Sequence, residues 1–173
     1  MIKLKKLILD NFKGIKELRI DFSDVTNIFG DNGIGKTTIF DAFTWLMFGK
    51  DSTDKKDFSV QTLDESSNIL HHLEHRVTGI LEINGVEKTF SRMLKEKWQK
   101  TKGEAEQTLR GTTTTYEIDG VPVKQKEYQS TISEAIDEDL FKMISNPFYF
   151  NQLHWEKQRE ILMQIIGDVD TDL

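Results

Sequence analysis

Cysteine is absent from the 173 residues and proline occurs only twice. No stretch approaches the roughly 18 consecutive apolar residues that a membrane-spanning helix needs. The missing cysteine excludes a disulfide framework and a thiolate metal site, so nothing asks for an oxidising compartment and a cytoplasmic protein is expected. The N-terminus, Met1-Ile2-Lys3-Leu4-Lys5-Lys6, lacks the apolar run and small-residue cleavage site of a signal peptide. A soluble, untargeted chain with no membrane partner is the expectation. Two prolines and 30% charged residues beside clear apolar segments suit a compact α/β domain better than disorder. A chain of this length buries roughly 70% of the surface that it exposes when unfolded. The net charge of -6 argues against a protein that coats nucleic acid generally, but it is unevenly spread. Residues 1–20 hold six Lys/Arg against two Asp/Glu, and the remainder 17 against 27.

Ile2 to Leu9 and Ile15 to Phe22 are β-prone and joined by Asn11-Phe12-Lys13-Gly14, which predicts an antiparallel pair. Val25 to Phe29 is expected as a further strand ending on Gly30. Lys36 to Phe48 is almost wholly apolar and long enough for a helix buried on most sides, stopped by Gly49. Residues 50–76 are polar without a defensible period and are expected as a long loop, with a helical turn at 69–75. Val77–Ile83 and Val86–Leu94 flank Asn84-Gly85, and Tyr116–Ile118 and Val121–Val123 flank Asp119-Gly120. Both dipeptides supply the two positive φ angles of a type I′ hairpin turn. Residues 99–113 are expected as a solvated tip. Helical patterns follow at 126–136, at 138–144 until Asn146-Pro147, and at 155–166, the last placing Trp155, Leu162, Ile165 and Ile166 on one side before Gly167. The organisation is thus 1–50 for hairpin, strand, loop and helix, 51–123 for loop and hairpins, and 124–173 for helices.

Gly30-Asp31-Asn32-Gly33-Ile34-Gly35-Lys36-Thr37 fits the phosphate-loop pattern G-x-x-x-x-G-K-[ST]. At average residue frequencies such a match arises by chance in about one in 200 chains of this length, and here it opens the apolar helix. The chemistry demands these residue types. Glycines let backbone N–H groups turn onto the β-phosphate, the helix N-terminus adds partial positive charge, Lys36 reaches the β/γ oxygens, and the Thr37 hydroxyl ligates Mg²⁺. Gly30, Asp31, Asn32, Gly33, Ile34, Gly35, Lys36, Thr37 and Thr38 are therefore the expected ATP-binding residues. Lys36 is also catalytic and Thr37 also a metal ligand.

Hydrolysis needs more: a carboxylate on Mg²⁺ through water and a second that polarises the attacking water, commonly at the end of an apolar strand. No segment fits. Asp64-Glu65 follows one leucine in a polar loop, Asp137-Glu138 follows a helix, and Leu7-Ile8-Leu9-Asp10 lies in the first hairpin, ahead of the phosphate loop. An Asn-Lys-x-Asp guanine-reading motif is also lacking.

Over residues 1–48 the chain resembles the N-terminal segment of the ABC-type ATPases of the SMC and SbcC kind, found in bacteria and phages. The residues that carry the resemblance are Asn11-Phe12-Lys13-Gly14 after a strand, Asn27-Ile28-Phe29, Gly30-x-Asn32-Gly33-x-Gly35-Lys36-Thr37 and Ile39-Phe40-Asp41-Ala42-Phe43. Ile34 departs from the small polar residue usual there. The resemblance implies an α/β phosphate-loop NTPase head, of which this chain is the N-terminal lobe, with an antiparallel β-hairpin subregion followed by helices. It implies ATP and Mg²⁺ as cofactors. A C-terminal segment of the same protein, beyond a coiled coil, would bring the signature motif and the Asp-Glu carboxylates, and a second head would close a homodimer around two ATP molecules. DNA and a nuclease subunit are further implied partners, in repair, recombination or replication. It also marks Gln152, in Phe150-Asn151-Gln152, as a Q-loop residue touching Mg²⁺ or the attacking water, and Lys13 as approaching the phosphates. For Gln152 the simple start of the last helix, and for Lys13 a solvated turn lysine, stay open. So do two other functions: a small phosphate-loop kinase, and a non-catalytic module that uses ATP to trigger association.

Lys88, Arg92, Lys95, Lys97, Lys100 and Lys102 stand against Glu96 alone, with Phe90 and Trp98 interleaved. This composition suits DNA phosphates, but a solvated hairpin arm is the favoured account of it. His71, His72 and His75 would place two imidazoles at i and i+4 on a helix, a zinc spacing, but without cysteine or an H-E-x-x-H frame they are expected as loop or surface histidines. Asp41 is the one charged residue within the apolar helix after Lys36, and either organises the surroundings of the site or faces a polar pocket.

Overall fold

The computed structural model describes residues 1–100, 107–145 and 149–166. Two compact units divide between Ser130 and Thr131. The first holds a six-stranded, wholly antiparallel sheet in the order β2-β1-β3-β4-β5-β6. The strands are β1 (Ile2–Phe12), β2 (Ile15–Asp21), β3 (His75–Ile83), β4 (Val86–Lys100), β5 (Gln107–Ile118) and β6 (Val121–Val123), and helix α1 (Lys36–Phe48) packs on β1, β3 and β4.

The three tight turns follow from their dipeptides. Lys13-Gly14, Asn84-Gly85 and Asp119-Gly120 all carry positive φ at both positions, as type I′ turns require. The registers Phe12↔Ile15, Ile83↔Val86 and Ile118↔Val121 close directly on them. The β4–β5 pair runs further than expected: residues at the predicted tip are strand, with Lys100 opposite Gln107. The Thr-rich stretch 112–115 is β-branched and favours the extended pairing.

One sheet face carries the core. Leu7 and Leu9 of β1, Val77 and Leu81 of β3 and Phe90 of β4 are buried beneath α1, whose Ala42, Leu46 and Met47 are buried in turn. Gly79 sits at the contact, because a Cβ there would lie 2.6 Å from Leu46 Cδ2. Arg92 shares the face, opposite Val77 and Tyr116, and is 3% exposed. Its Nη1 donates to the Trp45 carbonyl near the C-terminus of α1, and its guanidinium lies 5.0, 5.5 and 5.7 Å from the ring centroids of Tyr116, Trp45 and Tyr128. Tyr128, from α2 (Gln125–Ala135), donates its hydroxyl to Leu46 O at 3.1 Å. Burial pushes the Tyr128 phenol well above its usual range.

Two expectations fail here. Val25–Phe29 is not a strand. Among the described residues it makes no backbone–backbone hydrogen bond, and Val25 and Phe29 stand 77% and 86% exposed. A strand exists only through a partner, and the sheet offers these residues none. The segment 69–75 forms no helical turn either; His75 begins β3, is buried, and bonds Asn11 O through Nδ1 at 2.6 Å, which removes it from the surface histidines. His71 and His72 remain exposed loop residues, His72 stacked on Trp98 and His71 bonded to Glu96 at 2.7 Å. The loop at 50–74 is organised by aspartates. Asp51 accepts from the Thr53 and Lys55 amides, and Asp64 from those of Ser66 and Asn68.

The second unit contains α3 (Glu138–Ser145), α4 (Tyr149–Gln152) and α5 (Trp155–Ile166). Asp139 ties them, accepting from Tyr149 Oη at 2.8 Å and pairing with Lys157 at 3.2 Å. Among the described residues of α5, Ile161 is buried whereas Trp155 and Leu162 of the expected face are exposed; the side chains of Ile165 and Ile166 lie outside the described residues.

Gly49 closes α1 at φ +75°, and its N–H bonds Trp45 O at 3.0 Å. A Cβ there would meet Arg92 Nη1 at 2.7 Å. Gly49→Ala is expected to cost about 1–2 kcal/mol from the left-handed backbone alone, seen as a lower urea midpoint at an unchanged m-value.

Candidate functional site

The loop 30–35 rises from the exposed segment 25–29 and ends at Gly35, whose φ of +101° marks the N-cap of α1. The backbone there requires glycine, and because glycine has no side chain, the first-turn amides have no side-chain cap. No acidic residue occupies that turn. Amides without a side-chain cap at the N-terminus of a 13-residue helix, where the dipole is positive, are able to receive an anion. Lys36 folds back over the loop, its Nζ donating to Asp31 O at 2.6 Å and also to Gly30 O. The ammonium is thus held on the loop by two neutral carbonyls, partners that a phosphate oxygen exceeds in strength. Thr37 is exposed on the first turn and Thr38 half-buried beside it. Ile34 lies over Gly30: a Cβ on Gly30 would come within 2.0 Å of its Cδ1, so the unusual residue in the loop is accommodated by the glycine. Asp31, Asn32 and Gly33 are exposed.

The β1–β2 turn comes against the start of α1, since a Cβ on Gly35 would touch Ile15 Cδ1 at 3.4 Å. Lys13 in that turn is no freely solvated lysine. Its Nζ pairs with Asp41 Oδ2 at 2.6 Å and lies 5.5 Å from the Phe58 ring centroid, while its amide donates to Val60 O at 3.0 Å. Asp41 is 4% exposed and takes two further bonds on Oδ1, from the Ser52 amide at 2.9 Å and the Ser52 hydroxyl. Of the two roles left open for Asp41, the structure favours the organising one: it ties hairpin turn, helix and following loop together beside the phosphate loop. Burial alone would push its carboxyl up. The bonds from Lys13 and Ser52, with the Lys13 charge, outweigh that and hold it below the usual carboxylate range.

Gln152 belongs to the second unit, where it ends α4; α5 begins only at Trp155, so the pair Asn151-Gln152 does not start the last helix. Its side chain lies outside the described residues. Among the described residues, no group of three His, Asp or Glu could hold a metal. The basic run is partly withdrawn from solvent. Arg92 and Phe90 are core residues, and Lys95 pairs with Glu74 at 3.1 Å, leaving Lys97 and Lys100 exposed on the hairpin; Lys102 lies outside the described residues. Sequence reasoning missed Ser52, whose loop carries no pattern, and the buried role of Arg92. The available signal was its place within Phe90-Ser91-Arg92-Met93-Leu94, where alternation puts it on the face of Phe90 and Leu94.

A depressed carboxyl stabilises the folded state above the unfolded value of about 3.9 and loses that contribution as pH falls through the folded value. For Asp41 that window lies below about pH 4. Lys13→Met removes the charge partner and leaves the burial, so the Asp41 carboxyl midpoint, followed by ¹³C NMR titration, is expected to move upward. An unmoved midpoint would show that Ser52 alone holds it.

Comparisons with known proteins agree with this architecture. Over 56 residues the chain is 45% identical to the SbcC component of the nuclease SbcCD of Staphylococcus aureus (strain JH9), a match covering 30% of this chain and 6% of that protein. Over 62 residues it is 39% identical to the DNA replication and repair protein RecF of Azobacteroides pseudotrichonymphae, covering 35% and 17%. The matched stretches are thus a small part of these relatives' length. Among solved structures, the Smc head domain with an extended coiled coil, bound to the C-terminal domain of ScpA, from Pyrococcus furiosus shares the fold at a TM-score of 0.51 and 21% identity, over 78% of this chain and 33% of that one. The family model of the AAA domain matches residues 6–170, and the chain belongs to that family.

Proposed function

We propose that this chain binds Mg-ATP as the N-terminal lobe of a split ATPase head of the SMC and SbcC kind, acting in DNA repair, recombination or replication. The observation that carries the reading is the Gly35-capped start of α1, with uncapped amides and Lys36 Nζ poised on the loop carbonyls. On ATP binding the ammonium exchanges neutral carbonyl oxygens for charged β/γ oxygens, and the first-turn amides take the phosphate. Thr37 Oγ1 would hold Mg²⁺ together with the nucleotide's phosphate oxygens, and the ion would supply neutralising charge to the phosphoryl groups.

Lys13, held by Asp41 2.6 Å away, carries positive charge in the hairpin turn beside the loop, as expected of a phosphate-approaching residue. Release from Asp41 would be the cost of reaching the nucleotide. Gln152 is assigned as the residue that senses Mg²⁺ or the attacking water.

Hydrolysis in this scheme needs carboxylates from a C-terminal segment and the signature motif of a second head, forming a homodimer. The exposed apolar run Val25–Phe29 supports that assignment. Three large apolar residues in solvent, Val25, Ile28 and Phe29, are what an interior strand looks like without its neighbours. A DNA substrate and a nuclease subunit accord with the sequence relatives.

The chain is expected to bind Mg-ATP in isothermal titration and to turn it over negligibly. Lys36→Ala should weaken binding about 10- to 100-fold, from the ~1.5–3 kcal/mol that a hydrogen bond to a charged group contributes. Unchanged affinity in the variant would refute the site. Sustained turnover by the chain alone would refute the split head and leave nucleotide binding standing.

A further inference from the structure

A polar cavity of about 690 Å³ lies within the first unit near the C-terminal end of α1. Its size is that of a small-molecule pocket. Thirteen helical residues place it about 20 Å from the N-terminus that faces the phosphate loop, and no residue of 30–38 lines it. Arg92 lines it, with Thr112 and Thr114 from β5 and Gln125 and Gln129 from α2. Exposed Lys56 and Asp57 also line it and balance each other in charge.

Arg92 is the unusual member. A buried cation is costly unless it is paired and its donors are satisfied. The Trp45 carbonyl, the helix C-terminus to which it belongs and the three rings offset part of that cost. None of these is a full negative charge. Among the described residues no carboxylate forms an ion pair with Arg92, and its buried Nε has no hydrogen-bond partner. The desolvation is strong enough to pull the guanidinium below its usual range. The amides of Gln125 and Gln129 and the hydroxyls of Thr112 and Thr114 supply neutral donors around the same space, and each can turn a hydrogen toward an oxyanion.

We propose that this cavity binds a small ligand bearing an oxyanion, phosphate or carboxylate, with Arg92 as its counter-charge. A planar guanidinium that donates to Trp45 O and hydrogen-bonds Tyr116 still retains donors for such a group, its buried Nε–H among them. The site is separate from the nucleotide site at the other end of α1, and it links a ligand to that helix through the Arg92 to Trp45 bond.

The test uses the whole chain and reads Arg92 directly. In a ¹⁵N-labelled Lys36→Ala background the five arginine Nε–Hε resonances, from Arg19, Arg76, Arg92, Arg110 and Arg159, are followed while inorganic phosphate, and separately acetate, replaces chloride at constant ionic strength. The Arg92 resonance should move along a saturable curve with at least one of the two anions, whereas the other four drift together without saturating. The anion that saturates at lower concentration names the class. Gln129→Glu places a carboxylate on the same wall at an exposed helix position, where folding is undisturbed, and should raise the midpoint at least about tenfold by competing for the cation. An Arg92 resonance that saturates with neither anion, or a midpoint unaltered by Gln129→Glu, would overturn the proposal. Because Lys36 is already removed, neither result depends on nucleotide binding.

Discussion

The seat of α1 on the sheet is the constraint on which the rest depends. Leu46 lies on Gly79, and Ala42, Trp45 and Met47 are buried around it. Burying an apolar side chain of this size contributes about 1.5–3 kcal/mol, so several of them fix the helix firmly. A phosphate loop is only as well defined as the helix whose amides it presents. Here that helix is held along its length by β1, β3 and β4 and stopped at Gly49 over Arg92. Its two ends therefore occupy set positions in the first unit, and both carry polar chemistry. The N-terminal end has uncapped donors, and the C-terminal end has a carbonyl bound by a buried guanidinium.

Asp41 connects that rigid element to its surroundings. One carboxylate joins the β1–β2 turn through Lys13 to the loop after α1 through Ser52. The turn is tied again through Asn11 O, which accepts from Thr62 and His75. A basic residue near the phosphate loop is thus kept in place by a charge pair rather than by its own rotamers. The pairing also explains how a carboxylate is tolerated in an otherwise apolar helix. Every partner of Asp41 favours its charged form, and together they outweigh the burial.

Much of this was legible in the sequence wherever the signal was local. The bounds of α1 followed from an apolar run between two glycines, the turns at Asn84-Gly85 and Asp119-Gly120 from residue pairs suited to positive φ, and the first turn from Gly14. What escaped was non-local. Val25–Phe29 has the composition of a strand, but strand formation depends on a partner, and composition is silent about that. Arg92 carries the composition of a surface run, yet its cross-strand neighbours Val77 and Tyr116 place it in the core. His75 looked like part of a histidine cluster because the start of β3 could not be located to within two residues. Ser52 stands in a loop whose shape is set by Asp51 and Asp41, contacts that no periodicity announces.

Amide hydrogen exchange with and without Mg-ATP tests the central claim, that α1 and its glycine cap form a nucleotide site, most directly. The account predicts that saturating Mg-ATP slows exchange at residues 33–38 at least about tenfold while β3 and β4 exchange unchanged, since the sheet is already protected. Unaltered exchange at 33–38 under saturation would contradict it, as would protection appearing elsewhere and not in the loop.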